Sequence, residues 1–290
     1  MTLGEAVLWA ASELTAAGVD SPRLDAELLA AHILAVGRAY VLAHPELELR
    51  SEQARRLRSL VRRRACREPL PYILGTWEFY RRTFCVTPAV LIPRPETEVL
   101  VEAVLRRLSE RTASEPPLIL DVGTGSGCIA ITLALEVPGS SVVACDVSPG
   151  ALKVAHANAQ RLMQCAADSG RLDLRRADFP HGLEDLAGRV DVLVSNPPYV
   201  SEKDADLLPP EVARWEPRIA LFADGDGLSF IRRIAVHAPD LLAPRGLVAL
   251  EVGWNQAGAV EGILSAHGFA DVEVVRDLAG MERVVIGRKG

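Results

Sequence analysis

Apolar residues in the first quarter of the chain recur at helical spacing. Leu3, Ala6, Val7, Ala10 and Leu14 fall on one helix face. Ser21-Pro22 supplies an N-cap followed by a proline suited to the first turn, opening a helix through about Val36. A third helical pattern starts near Ser51. Pro69 and Pro71 are expected to end the helices, because proline brings no backbone donor. Next come two short strand patterns, Thr83–Val86 and Val90–Ile92, punctuated by Pro88, Pro93 and Pro95, which read as a hairpin linker.

From residue 97 the pattern changes to apolar runs alternating with helices. The strand candidates are 118–122, 141–145, 172–175, 190–195, 246–252, 272–275 and 284–286. Helical patterns such as Cys128–Glu136, Gly150–Gln164 and Leu228–Leu242 lie between them. Short apolar strands separated by helices imply a mostly parallel sheet covered on both faces. The last two runs are joined only by Asp277–Glu282 and are expected to pair antiparallel at the end of the sheet. The expected organisation is therefore a helical domain over 1–80, a β-hairpin linker over 81–96 and an α/β domain over 97–290.

Composition adds limits. With 290 residues, 49% hydrophobic and 24% charged, the chain has material for a sizeable core and reads as globular. The net charge of -6 is uneven: residues 1–94 hold 13 Arg and no Lys against 10 acids, so the remainder is at -9. Arg50–Arg67 contains eight Arg opposed only by Glu52. Such a run is either a solvated helix face or a contact surface for an acidic partner or RNA. The acidic remainder argues against a protein that coats nucleic acid through charge alone. Five cysteines, an odd number without a CxxC pair, suit a reducing cytosol and give neither a disulfide framework nor a zinc site. Six scattered His residues leave no metal centre expected. There is no signal-peptide pattern and no uncharged apolar run of about 18 residues, so a cytoplasmic protein without membrane spans is expected.

The candidate chemistry sits at strand ends. Asp121-Val122-Gly123-Thr124-Gly125-Ser126-Gly127 follows the first strand of the α/β domain and precedes a helix. Glycines there allow a sharp turn and close approach to a ligand. Alone, that loop also fits dinucleotide binding or tight packing. Asp146, 19 residues after Gly127, ends the next strand, where a carboxylate can accept from both ribose hydroxyls of an adenosine. Its plainer role is a cap for the helix after Ser148-Pro149. Asp178-Phe179 ends the third strand and offers an acid for an adenine amino group and a ring for its face, although such a ring is more often core.

Asn196-Pro197-Pro198-Tyr199 is the most specific feature. Two prolines fix φ and remove two backbone donors, and the preceding Asn is pushed to extended geometry. An amide nitrogen is a poor nucleophile, because its lone pair is delocalised. Acceptors that hold both of its N–H groups stabilise the positive charge that develops during methyl transfer. The Asn196 side-chain oxygen and the Pro197 carbonyl are candidates, with Tyr199 as a flat surface for a planar group. Alignment supplies the rate, and neither a metal nor a covalent nucleophile is needed. The segment fits an adenine amino group as well as a glutamine amide.

Over nearly its whole length the chain resembles the HemK/PrmC family of peptide chain release factor glutamine-N5 methyltransferases. The resemblance rests on the glycine loop, Asn196–Tyr199, Leu91-Ile92-Pro93-Arg94-Pro95-Glu96-Thr97-Glu98, Ser21–Leu29, Glu216-Pro217 and Asp226-Gly227-Leu228. It implies a Rossmann-like seven-stranded class I methyltransferase domain with a small all-helical N-terminal domain for substrate recognition. It implies S-adenosyl-L-methionine held by Gly123–Gly127, Asp146, Phe179 and Asn196, to which the strand-end reading adds Asp178. The substrate would be the glutamine of a Gly-Gly-Gln loop, held by Asn196–Tyr199, with release factors as partners and neither stable nucleic-acid binding nor a membrane. Two departures are Phe179 itself and the insertion-like Cys165–Gly170. The rival reading is an adenine-N6 nucleic-acid methyltransferase. A nicotinamide oxidoreductase would leave Asn196–Tyr199 without a role, and a non-catalytic adaptor would not need the intact site.

Overall fold

The computed structural model describes residues 1–111, 115–164 and 170–290. Of the stretch Cys165–Gly170, all but Gly170 lies outside them. The chain opens with α1 (Leu3–Ala16), α2 (Pro22–Leu34), α3 (Arg38–Ala43), α4 (Ser51–Ala65) and α5 (Leu70–Leu74). The hairpin β1 (Thr76–Phe79) and β2 (Arg82–Cys85) follows, then α6 (Pro95–Ser109), β3 (Leu118–Val122), α7 (Cys128–Glu136), β4 (Ser141–Asp146), α8 (Pro149–Leu162), β5 (Leu172–Arg176) and β6 (Val190–Ser195). Short pieces come next: β7 (Val200–Ser201), α9 (Pro210–Trp215), α10 (Arg218–Leu221) and β8 (Phe222–Ala223). The chain ends with α11 (Ser229–Leu241), β9 (Leu242–Glu251), α12 (Ala257–Ala266), β10 (Phe269–Arg276) and β11 (Glu282–Lys289). It divides into two compact units: Met1–Thr76 with Pro209–Trp215, and Trp77–Leu208 with Glu216–Gly290.

The first unit is helical. Thr2 caps α1 and forms a capping box with Glu5. The apolar stripe of α1 packs with Ala26, Leu29 and Ala30 of α2 and with Leu57 and Val61 of α4. α3 and α5 carry little helical signal in the sequence. α3 buries only Val41, too little to set a period. Pro69 and Pro71 begin α5 instead of ending a helix, because the first turn leaves its N–H groups unpaired in any case.

The Arg-rich run is divided in the folded unit. Arg64 is buried, and its Nε donates to Asp25 Oδ2 at 2.7 Å and its Nη1 to Glu211 Oε1 at 2.9 Å. Arg67 reaches Glu211 Oε2 at 2.7 Å, and Arg63 pairs with Glu68. These bonds fix α9 in the helical unit, which no local pattern in the sequence announces. Arg55, Arg56, Arg58 and Arg62 stay exposed. Burial pushes the Asp25 carboxyl above its ordinary value, against the pull of Arg64. Breaking a buried pair from one side leaves the other charge uncompensated, so Arg64→Ala is expected to cost about 3–5 kcal/mol. Urea unfolding of the intact chain checks this, and an unchanged midpoint would exclude it.

β2 covers most of the strand expected at 83–86, but the hairpin pairs it with β1 before it and not with 90–92. Its turn residues Tyr80 and Arg81 have φ of 47° and 59°, a turn that Asn-Gly usually marks and that this sequence disguises. Val90–Ile92 is not a strand: Val90 N donates to Thr87 O in a turn between prolines.

The second unit holds a seven-stranded sheet in the order β10-β11-β9-β6-β3-β4-β5. β9, β6, β3, β4 and β5 run parallel, and β11 is antiparallel to both β9 and β10. Alternation along the strands divides the core. Leu120, Val122 and Leu193 pack with Ile231, Ile234 and Ala238 of α11 on one face. Ile119, Val192 and Val194 pack with Leu100 and Val104 of α6 and with Ile131 of α7 on the other. β9, β10 and β11 extend beyond the expected runs through flanking residues, such as Pro244, Arg245, Asp271 and Glu282, that do not continue the apolar pattern. No described helix is long and apolar enough to cross a membrane.

Candidate active site

Parallel strands bring their carboxyl ends to one edge, and the strand order reverses at β3, which has β4 on one side and β6 on the other. A crevice forms at such a reversal. The glycine loop follows β3, Asp146 ends β4, Asp178-Phe179 follows β5 and Asn196 follows β6.

The loop is shaped by three glycines at positive φ, Gly123 (77°), Gly125 (55°) and Gly127 (81°). Gly123 N and Thr124 N both donate to Cys145 O, fastening the turn to β4. A Cβ on Gly123 would meet nothing within 4 Å, so this backbone is open to a ligand. Gly127 differs: a Cβ there would crowd Ile131 and Ala155, so its bareness lets α7 approach α8. Asn158, which the sequence reading passed over, is fully buried on α8. It accepts from Cys85 N at 2.6 Å and donates to Cys85 O and Ser126 O, tying β2 to the glycine loop.

Asp146 is braced on both oxygens. Oδ2 accepts from Gly125 N at 2.9 Å and Oδ1 from Ser148 N at 2.8 Å. The α8 cap itself is Ser148, which accepts from Ala151 N. A carboxylate has about four lone-pair positions, so each oxygen of Asp146 can take a further donor. Burial raises its pKa against these backbone bonds. Asp178 is exposed and paired with Arg233. Phe179 is buried in the core, with its ring edge-on to His237, and still forms part of the cavity wall.

Ser195 Oγ donates to Val122 O at 2.6 Å, joining the end of β6 to β3. The next residue, Asn196, donates from Nδ2 to Thr97 Oγ1 at 3.2 Å. Among the described residues its Oδ1 accepts no hydrogen bond. Pro197 and Pro198 line the cavity. Tyr199 does not: its ring lies beside Gly253, and its carbonyl accepts from Gln256 Nε2 at 2.9 Å. Gln256 Oε1 also accepts from Gly253 N, so one side chain holds the end of the Asn-Pro-Pro-Tyr segment against the loop after β9. Burial pushes the Tyr199 phenol up.

Arg94 and Thr97 belong to the same wall. Arg94 pairs with buried Glu216, which also accepts from Ile92 N, and this fixes the Ile92–Glu98 segment. Gly227, at φ 81°, is required for another reason: an added Cβ would run into the Tyr199 carbonyl oxygen. Gly227→Ala is expected to displace that segment and lower kcat by about a hundredfold, the size of effect a misplacement of about 1 Å produces. Circular dichroism confirming a folded variant with wild-type kcat would contradict this.

These residues surround a cavity of about 540 Å³, within the usual range for small-molecule sites. An open glycine turn, a braced carboxylate at the end of β4 and a largely apolar wall fit S-adenosylmethionine. Fold and site together define a class I S-adenosylmethionine-dependent methyltransferase.

Comparisons narrow the class. The profile of the PrmC N-terminal domain matches residues 5–75, and that of the Methyltransferase small domain matches residues 96–209. The chain is 44% identical over 289 residues to the release factor glutamine methyltransferase of Koribacter versatilis, covering 100% of this chain and 99% of that one. It is 42% identical to that of Geobacter sulfurreducens, covering 100% and 97%. The hMettl16 catalytic domain, solved in complex with MAT2A 3'UTR hairpin 6, shares the fold at a TM-score of 0.55 and 17% identity over 83% of both chains. The chain belongs to the release factor glutamine methyltransferase family.

Proposed function

We propose that this enzyme transfers a methyl group from S-adenosylmethionine to the side-chain amide nitrogen (N5) of the glutamine in the Gly-Gly-Gln motif of peptide chain release factors. Family membership supports the substrate. The observation that carries the chemistry is Asn196, in the wall of the cavity shared with the glycine loop and Asp146: its Nδ2 is engaged by Thr97, and among the described residues its Oδ1 accepts no hydrogen bond.

S-adenosylmethionine, when bound, supplies a methyl group carried on a positively charged sulfur. Gly123, Thr124, Gly125, Ser126 and Gly127 would pass along it, and Asp146 would take its ribose hydroxyls. Asp178 and Phe179 would stand at the adenine end, with the ring of Phe179 as part of the wall and Asp178 held at the rim by Arg233. Asn196 would also border the cofactor. Asn196 Oδ1 and the Pro197 carbonyl accept from the two N–H groups of the substrate amide. Pro198 keeps the segment rigid, and Tyr199 flanks the substrate on the side of Gly253. These acceptors stabilise positive charge on the nitrogen before it releases a proton.

The helical unit is the grip on the release factor, and Arg55, Arg56, Arg58 and Arg62 face its acidic groups. Reversing these charges to Glu is expected to raise KM for intact release factor at least several-fold and to leave S-adenosylmethionine affinity unchanged. An unchanged KM would remove that face from the account. The workplace is the cytoplasm, with no stable nucleic-acid or membrane partner. Incubation with labelled S-adenosylmethionine, release factor and DNA together tests the substrate class. Label is expected on protein alone, and label on adenine would favour the nucleic-acid reading.

A further inference from the structure

Glu251 ends β9 with 2% exposure and stands apart from the acceptors that face the substrate nitrogen. The Thr97 hydroxyl lies near enough to the Glu251 carboxyl to favour the charged form, and Oε2 is buried without a hydrogen-bond partner. Thr97, itself buried, is also the acceptor for Asn196 Nδ2. A hydroxyl has one proton to give and lone pairs to receive. Asn196 occupies the receiving side of Thr97, so the hydroxyl proton is left for Glu251. A carboxylate can only accept and so enforces that direction, whereas a protonated carboxyl can also donate to Thr97 and compete with Asn196.

We propose that Glu251 is a positioning residue that acts through Thr97 on Asn196. Its carboxylate orients the Thr97 hydroxyl, which in turn fixes the Asn196 amide with Nδ2 inward and Oδ1 toward the substrate nitrogen. This rests on the reading of Asn196 as the acceptor for that nitrogen. An Asn amide turned by half a rotation would present its NH2 group to the substrate N–H groups and repel them. The Thr97 hydroxyl, held as an acceptor by Glu251, excludes that orientation. The buried negative charge also favours the positive charge that builds on nitrogen during transfer.

The surroundings make this coupling sensitive to pH. Burial pushes Glu251 up to about 7, opposed first by the Thr97 bond. Glu96 adds to the rise, while Arg283 and Arg94 favour the carboxylate. Tyr199 and Cys128 also lie within reach of its charge. The active form is the deprotonated one, so turnover rises as pH passes upward through about 7.

Proton–nitrogen NMR of full-length protein labelled at Asn nitrogen reads the coupling without turnover. The Asn196 side-chain resonances are expected to shift with a midpoint near 7 in the wild type and to lose that shift in Glu251→Gln and Thr97→Val. On a peptide bearing the Gly-Gly-Gln loop, both variants are expected to lose about tenfold in kcat, the equivalent of one charge-assisted hydrogen bond. Their rising pH limb is expected to flatten, with KM and S-adenosylmethionine affinity kept, and Thr97→Ser is expected to recover most of the loss seen in Thr97→Val. Asn196 resonances indifferent to pH, or Glu251→Gln with wild-type kcat and limb, would overturn the proposal. If the resonances titrate as expected but wild-type enzyme leaves the peptide unmethylated, the substrate reading fails and the Glu251–Thr97–Asn196 coupling stands.

Discussion

Asn196→Ala is expected to lower kcat by about a hundredfold or more, the loss typical for one charge-stabilising group aimed at a transition state. The reason is positional. Asn196 follows β6, whose end is joined to β3 by the Ser195–Val122 bond, and Thr97 holds its Nδ2. Truncation removes the one acceptor in the segment whose direction a side chain controls. S-adenosylmethionine affinity is expected to fall far less than kcat, because the glycine loop and Asp146 are untouched. Single-turnover rates and calorimetric titration separate the two quantities. Wild-type turnover in the variant would remove Asn196 from the mechanism.

The second large effect is on cofactor affinity. Asp146→Ala is expected to weaken S-adenosylmethionine binding by roughly a hundredfold, since hydrogen bonds to a charged group are worth about 1.5–3 kcal/mol each. Two consequences add. In the proposed mode of binding the ribose hydroxyls would lose their acceptor, and Gly125 N and Ser148 N lose the carboxylate that braces the loop. Saturating cofactor is expected to restore much of kcat, because Asn196 stands on another strand. A dissociation constant equal to the wild type would reduce Asp146 to a structural role.

Much of this was legible in the sequence because the signals are local. The seven apolar runs, the glycine loop and the proline pair each declare themselves within a few residues, and parallel strands then carry them to one edge. What escaped depends on distant partners. Nothing near Asn158 announces that it will bond Cys85 and Ser126, and nothing near Gln256 points to Tyr199. Glu211 leaves no trace of Arg64 and Arg67, 147 and 144 residues away. The turn at Tyr80-Arg81 lacks the residues that favour positive φ, so β1 leaves no clear signal and the second strand is expected at Val90–Ile92 instead. The place of Tyr199 beside Gly253, outside the cavity wall, likewise depends on Gln256, 57 residues away.

The central claim is that the methyl group arrives on a glutamine side-chain nitrogen. It is tested most directly by treating intact release factor with enzyme and S-adenosylmethionine and sequencing its peptides by tandem mass spectrometry. The account predicts a single added methyl on the side chain of the Gly-Gly-Gln glutamine, absent when Asn196→Ala replaces the wild type. Methyl placed on another residue, or release factor left unmodified by active enzyme, would contradict it.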